Sequence, residues 1–141
     1  MSIKFNKRGL FKRVFGIPAT NKPANGNCWS YTDGKLTIDL DDASELLKPG
    51  SAMRLEGKNL PQRVLVVHGE DGDYRAFHNR CSHIGHRRLD PVAGTDTVQC
   101  CSVNKSTYDA EGKKIFGPAP HPVTRFPVEK IQNKLVVSIL P

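Results

Sequence analysis

Short alternating segments separated by turn residues are the feature that most constrains the fold of this chain. Residues 36–40 (LTIDL) alternate apolar and polar side chains, which is typical of a half-buried strand. Residues 63–69 (RVLVVHG) and 74–80 (YRAFHNR) flank the run Glu-Asp-Gly-Asp, a strong signal for a β-hairpin. No part of residues 29–141 has the periodicity of a long amphipathic helix. The sequence therefore predicts an all-β sandwich or barrel of short antiparallel strands.

Size and composition indicate one domain with reduced thiols. The chain has 141 residues, of which 38% are hydrophobic, as in a single globular domain. No stretch approaches the roughly 20 apolar residues that span a bilayer, and charges interrupt any apolar core of a signal peptide at the N-terminus. We therefore expect a cytoplasmic protein. Its four cysteines would then serve a metal or catalysis rather than disulfides.

Nearly all of the net charge of +7 lies at the N-terminus. Residues 1–23 contain six basic residues, no acidic residue and several interleaved apolar residues. This pattern predicts contact with an acidic partner or an anionic membrane surface. In the alternative interpretation, the apolar side packs on the domain and the charges are simply solvated. Prolines and a glycine between positions 18 and 26 indicate a linker, so we predict a basic N-terminal segment and linker over residues 1–28 and a domain over residues 29–141.

Two segments of the domain carry residue types that bind metals. Cys81 and His83 follow the second hairpin strand directly, and Cys101 opens another loop about 17 residues later. Loops from separate hairpins can converge on one metal centre. Cys-x-His alone is weak evidence, but a second cysteine loop at this distance in an all-β chain predicts a metal site.

These segments resemble the Rieske iron–sulfur domain, whose pattern is Cys-x-His, some 15 to 17 residues, and Cys-x-x-His. The resemblance spans roughly residues 29–140. Besides the ligand positions, it includes residues of both loops and of a capping loop: Gly85, Leu89, Ser106, Tyr108, Asp109 and Gly117-Pro118-Ala119.

The resemblance implies an antiparallel β-sandwich with a small two-loop subdomain that holds a [2Fe-2S] cluster. By position, Cys81 and Cys101 would bind the inner iron and His83 the outer iron. Asn104 stands where the family has its second histidine.

Three residues are candidates for the fourth ligand. Cys100 has the preferred ligand type, but successive side chains of a strand point to opposite faces. We therefore expect Cys100 to diverge from Cys101 and to be a small buried hydrophobic residue. His86 would preserve an iron with two histidine ligands. Asn104 is a poor ligand itself, although a water molecule held by it would fill the position.

The kind of centre is open as well. A single iron or zinc on Cys81, His83, Cys101 and one further group is one alternative, and a metal-free binding scaffold is another. Ser106 and Tyr108 favour the cluster, because in the Rieske family their hydroxyls donate to a sulfide and to a cysteine sulfur. Such hydrogen bonds stabilise the reduced cluster and raise its potential.

The resemblance implies a small Rieske-type ferredoxin that passes electrons through its exposed His83 edge. It would dock a reductase and an acceptor enzyme, and it would not be an enzyme itself, since 141 residues leave no room for an oxygenase's second iron domain. A mononuclear-metal or metal-free regulatory or interaction module is the alternative. The domain has no basic and aromatic pattern typical of nucleic-acid binding.

Overall fold

Short strands make up most of the molecule, a computed structural model that describes residues 3–83 and 85–139. In chain order the elements are α1 (Leu10–Val14), a 3₁₀ turn (Gly26–Cys28), β1 (Trp29–Thr32), β2 (Lys35–Asp39), a 3₁₀ turn (Ser44–Leu46), β3 (Ala52–Leu55), β4 (Val64–His68), β5 (Tyr74–His78), β6 (Leu89–Pro91), β7 (Val98–Cys100), β8 (Thr107–Tyr108), β9 (Lys114–Phe116), β10 (Arg125–Phe126), β11 (Val128–Ile131) and β12 (Lys134–Ser138). They form three antiparallel sheets, ordered β1-β2-β12-β11, β10-β5-β4-β3 and β6-β7-β8-β9. The predicted antiparallel all-β fold is confirmed.

The middle sheet has both faces covered, which explains why β4 is apolar along its length. Val64 and Val66 face the core shared with the first sheet, where they join Leu36 of β2. Leu65 and Val67 point the other way, into a second core formed with the third sheet. Burying each of these side chains contributes about 1.5–3 kcal/mol. The predicted half-buried strand 36–40 corresponds to β2, whose alternating side chains are buried on one face only.

The third sheet carries the segments singled out in the sequence. The first cysteine loop (residues 79–88) joins β5 to β6, and the second cysteine loop (residues 101–106) joins β7 to β8. Because β6 and β7 pair directly, with Leu89 opposite Cys100, the two loops leave the same end of the sheet. Their convergence therefore follows from the antiparallel topology.

The N-terminal residues pack on the third sheet. The guanidinium of Arg8 lies 3.2 Å from the carboxylate of Asp90, and both side chains are almost fully buried. The backbone N–H groups of Ala19 and Thr20 donate to the same carboxylate at 3.1 and 2.9 Å. The domain boundary after residue 28 stays a prediction, but these contacts match the alternative in which the segment packs on the domain.

Among residues 3–83 and 85–139, no helix combines the length and the apolar character that crossing a membrane requires. Within these same ranges, α1 is the one α-helix, and it has five residues.

Candidate metal centre

Cys81 and Cys100 bring the two cysteine loops together. Both side chains are fully buried and belong to the core between the middle and third sheets. Cys81 lies near the start of the first loop, and Cys100 ends β7, where its N–H donates to the carbonyl of Ser106 at 2.8 Å. The amide of Asn104 contacts both sulfurs. The structure thus contains a sulfur pair where the two loops meet.

Cys101 points away from this pair. Its backbone N–H donates to the carbonyl of Arg88. Burial raises the pKa of its thiol, and the negative charge of Asp90 raises it further. Cys100 and Cys101 therefore diverge, as strand alternation requires. We expected Cys101 to lie beside Cys81, but Cys100 takes that place instead. Which of the two binds a metal stays a prediction.

The side chain of Asn104 lies against both sulfurs of the pair. Its Nδ2 donates to Cys100 Sγ at 3.4 Å, and its Oδ1 is 3.9 Å from Cys81 Sγ. The same Oδ1 accepts the backbone N–H of Ser106 at 2.8 Å. This local turn is one that asparagine favours, so the amide both shapes the second loop and contacts the thiols.

Two hydroxyl groups reach Cys81 from the other side. The Tyr108 hydroxyl is 3.4 Å from Cys81 Sγ. The Ser106 hydroxyl also helps to lower the pKa of Cys81, and its oxygen accepts the N–H of Ala119 at 3.1 Å. Gly117 has a φ of 97°, and a Cβ there would approach the Ser106 Cα to 2.6 Å, so only glycine fits. The capping loop therefore packs directly on Ser106.

The surroundings of the two thiols shift their pKa values in opposite directions. Donation by Cys100, followed by donation from Tyr108, lowers the pKa of Cys81 to about 6 although burial opposes this. The hydrogen bond to Cys81 and burial raise the pKa of Cys100. Burial and the contact with Cys81 likewise raise the pKa of Tyr108. One buried thiolate with two protonated donors around it is the state that this arrangement favours.

The two histidines of the first loop do not join the sulfur pair. His83 is half-buried, and its backbone N–H helps to lower the pKa of Cys81. His86 is exposed with a φ of 47°, and its Nδ1 lies 3.3 Å from the carbonyl oxygen of Cys81. In the part of the chain described, no three His, Cys, Asp or Glu side chains gather in an arrangement that could hold a metal ion.

The donor set suits the thiolate-bound half of an iron–sulfur cluster. Two buried sulfurs contact the same Asn104 amide, and the hydroxyl of Tyr108 lies against one of them. For the other half the loops offer His83 and Asn104, of which Asn104 touches the cysteines.

Sequence reasoning missed two residues of the site. Ser82 Oγ donates to the carbonyl of His121 at 2.6 Å and accepts its N–H at 3.1 Å, which fastens the first loop to the segment after the capping loop. Its place between Cys81 and His83 was the available signal. Arg13 reaches Ser102 of the second loop from 89 residues away in sequence, and no local pattern marks it.

Curated relatives match part of the chain. The oxygenase subunit of glycine betaine monooxygenase from Pseudomonas aeruginosa is 34% identical over 73 residues, which cover 51% of this chain and 16% of that subunit. The corresponding subunit from Chromohalobacter salexigens is 34% identical over 53 residues, or 38% of this chain and 12% of the subunit. The chain thus spans a small part of these relatives.

Solved structures share the fold at low sequence identity. A complex of reduced oxygenase and oxidised ferredoxin in carbazole 1,9a-dioxygenase contains a chain with a TM-score of 0.59 and 18% identity, covering 76% of this chain and 94% of that one. The ferredoxin of carbazole 1,9a-dioxygenase from Nocardioides aromaticivorans has a TM-score of 0.56 and 20% identity, and the match covers 74% of this chain and 95% of that ferredoxin. A quaternary ammonium Rieske monooxygenase with bound L-carnitine has a TM-score of 0.53 and 17% identity, and the match covers 90% of this chain and 33% of that one.

The family model named Rieske [2Fe-2S] domain matches residues 38–127. The match includes both cysteine loops, Ser106, Tyr108 and the capping loop. It covers more than half of the chain and agrees with the three-sheet fold and the paired cysteine loops. The chain therefore belongs to the Rieske [2Fe-2S] domain family.

Proposed function

We propose that this chain is a small iron–sulfur electron carrier that holds a [2Fe-2S] cluster between its two cysteine loops. The observation that carries the proposal is that Cys81 and Cys100 are buried in one core, with the Asn104 amide against both sulfurs and the Tyr108 hydroxyl beside Cys81. When bound, such a cluster takes up and releases single electrons. The protein residues supply ligands, hydrogen bonds to sulfur and exclusion of water.

Within this proposal, Cys81 and Cys100 are the thiolate ligands of the inner iron. Cys101, which the family spacing favours, is the alternative, and it would have to turn from its present side of the strand. His83 is the proposed ligand of the outer iron. The position beside it would go to Asn104, to a water molecule held by that amide, or to His86.

The proposed partners are a reductase that supplies electrons and an enzyme that accepts them. The similarity in fold to a ferredoxin of carbazole 1,9a-dioxygenase, and the sequence match to an oxygenase subunit, favour an oxygenase component as the acceptor. On this proposal the 141 residues carry electrons and leave substrate chemistry to the partner. The reduced state of the cysteines fits a cytoplasmic location.

The N-terminal segment offers a docking surface for an acidic partner. Leu10 and Phe11 of α1 are 74% and 69% exposed. Leu10 and the basic side chains of Lys7 and Lys105 line one cavity together with Val103, at the tip of the second cysteine loop. A partner whose docking face is apolar with an acidic rim would therefore sit beside the metal centre. Weaker binding to that partner at high salt, without binding to anionic vesicles, is expected.

Metal analysis of protein purified without oxygen tests the proposal. Two irons and two acid-labile sulfides per chain are expected from the family. One iron or one zinc without sulfide would instead assign a mononuclear centre, and no metal after reconstitution with iron and sulfide would assign a metal-free binding module.

A further inference from the structure

Arg13 is a buried arginine of the N-terminal segment that reaches the second cysteine loop. The residue is only 4% exposed. Its Nη1 donates to the carbonyls of Cys100 and Ser102 at 3.5 and 3.0 Å. Its Nη2 donates to the carbonyl of Asn6 at 2.8 Å and to Oε1 of Gln99 at 3.4 Å. One guanidinium thus holds the backbone on both sides of Cys101.

The charge of Arg13 has no carboxylate counterpart. Within the described residues, no ion pair joins it to an acidic side chain. Asp90, an acidic residue nearby, is already paired with Arg8 and with two backbone N–H groups. A buried charge whose hydrogen bonds all go to neutral acceptors is costly unless another group compensates it.

Besides Asp90, the groups near Arg13 that can become anionic are the thiols of Cys100 and Cys101. Burial lowers the pKa of Arg13, and the positive charge of Arg8 lowers it further, whereas Cys100 and Cys101 act in the opposite direction. Thiolates at a metal centre would supply the missing negative charge. The guanidinium lies where it would compensate that charge without being a ligand.

We propose that Arg13 is the positioning residue of the metal centre, which fixes the backbone of the second cysteine loop and provides the counter-charge for the thiolates. The electrostatic half of this proposal rests on the proposed function. The positioning half does not, because the hydrogen bonds from Arg13 go to backbone carbonyls and involve no side chain of a proposed ligand. The N-terminal segment is then an integral part of the centre.

Three variants separate the two roles. Arg13→Gln removes the charge and most of the hydrogen bonds. Arg13→Lys keeps the charge but cannot bridge four acceptors with one ammonium group. Lys12→Gln is the matched control, because it removes one positive charge of the same segment from an exposed side chain.

In the iron-loaded protein, Arg13→Gln should lower both the iron content and the midpoint potential, since the reduced state gains a negative charge that is no longer compensated. Arg13→Lys should recover most of the potential but not the iron content. Lys12→Gln should match the wild type. If Arg13→Gln has the potential and the iron content of the wild type, the proposal is wrong. If Arg13→Gln does not fold, an unchanged iron content in Arg13→Lys would refute the positioning role.

A measurement on the metal-free protein keeps this test separate from the proposed function. Iodoacetamide labelling, mapped to each cysteine, should be severalfold faster at Cys100 and Cys101 in Arg13→Gln and in Arg13→Lys than in Lys12→Gln, because the loop is no longer held. Unchanged labelling would refute the positioning role even if the wild type binds a cluster. Faster labelling would support it even if the wild type binds no iron, in which case the proposed function fails alone.

Discussion

The hydroxyl of Tyr108 lies 3.4 Å from the sulfur of Cys81. It joins the second residue of the short strand β8 to the third residue of the first cysteine loop, across the space between the loops. The pKa of Cys81 falls to about 6 in part because of this contact. The same hydrogen bond would stabilise a reduced cluster bound to that sulfur.

Tyr108→Phe should therefore lower the midpoint potential of the loaded protein and raise the pKa of Cys81 in the metal-free protein. The ring still fills the core, so the loss of stability should stay near the roughly 1 kcal/mol of one hydrogen bond. Redox titration and thiolate absorbance against pH measure the two shifts. Tyr31→Phe, outside the site, is the control, and equal effects of both variants would contradict the assignment.

The ionisation of Cys81 makes stability depend on pH. Folding lowers its pKa from 9.0 to about 6, so its contribution is complete above the unfolded value and is lost as the pH falls from about 9 to about 6. Above about pH 9, the raised pKa of Cys100 works in the opposite direction, because the unfolded chain then loses a proton that the folded chain retains.

Urea midpoints of the metal-free protein should accordingly rise between about pH 6 and pH 9, relative to those of Cys81→Ser. The difference between the two proteins cancels the titrating groups that do not contact Cys81. A constant difference across this range would show that Cys81 is not a thiolate in the folded protein.

The proposed ligands predict opposite effects on the metal centre when Cys100 or the adjacent Cys101 is replaced. Cys81→Ser and Cys100→Ser should abolish the centre, whereas Cys101→Ser and His86→Ala should retain it. Serine is close to cysteine in size, so loss of the visible spectrum reports the ligand rather than packing. Retention in Cys100→Ser with loss in Cys101→Ser would return the assignment to the family spacing.

Strand alternation predicted the fold but could not settle which cysteine faces the site. The pattern of residues 36–40 identifies β2 because one face of that strand is buried over its whole length. At the end of β7, a shift of one residue reverses the face to which a side chain points. The number of residues between ligand positions does not tell which face that is. Asn104 was recognised as a departure from the family, but its turn and its contact with Cys100 depend on the folded loop.

Removal of residues 1–20 should destabilise the domain, contrary to the expectation for a solvated segment. Asp90 would lose Arg8 and two N–H donors while staying buried, and breaking such a pair costs about 3–5 kcal/mol. Denaturant unfolding measures the change. Lys4→Gln together with Lys12→Gln, which removes charge but not these contacts, should stay within about 0.5 kcal/mol of the wild type. An unchanged midpoint after truncation would show that the segment is dispensable.

Reversible electron uptake by the wild-type protein tests most directly whether it is a [2Fe-2S] electron carrier. After anaerobic purification with iron and sulfide, a coulometric titration should show about one electron taken up and returned per two irons. The reduced protein should give a paramagnetic signal that disappears on reoxidation. A protein that contains two irons and two sulfides but takes up no electron, or one that binds no iron at all, would contradict the account.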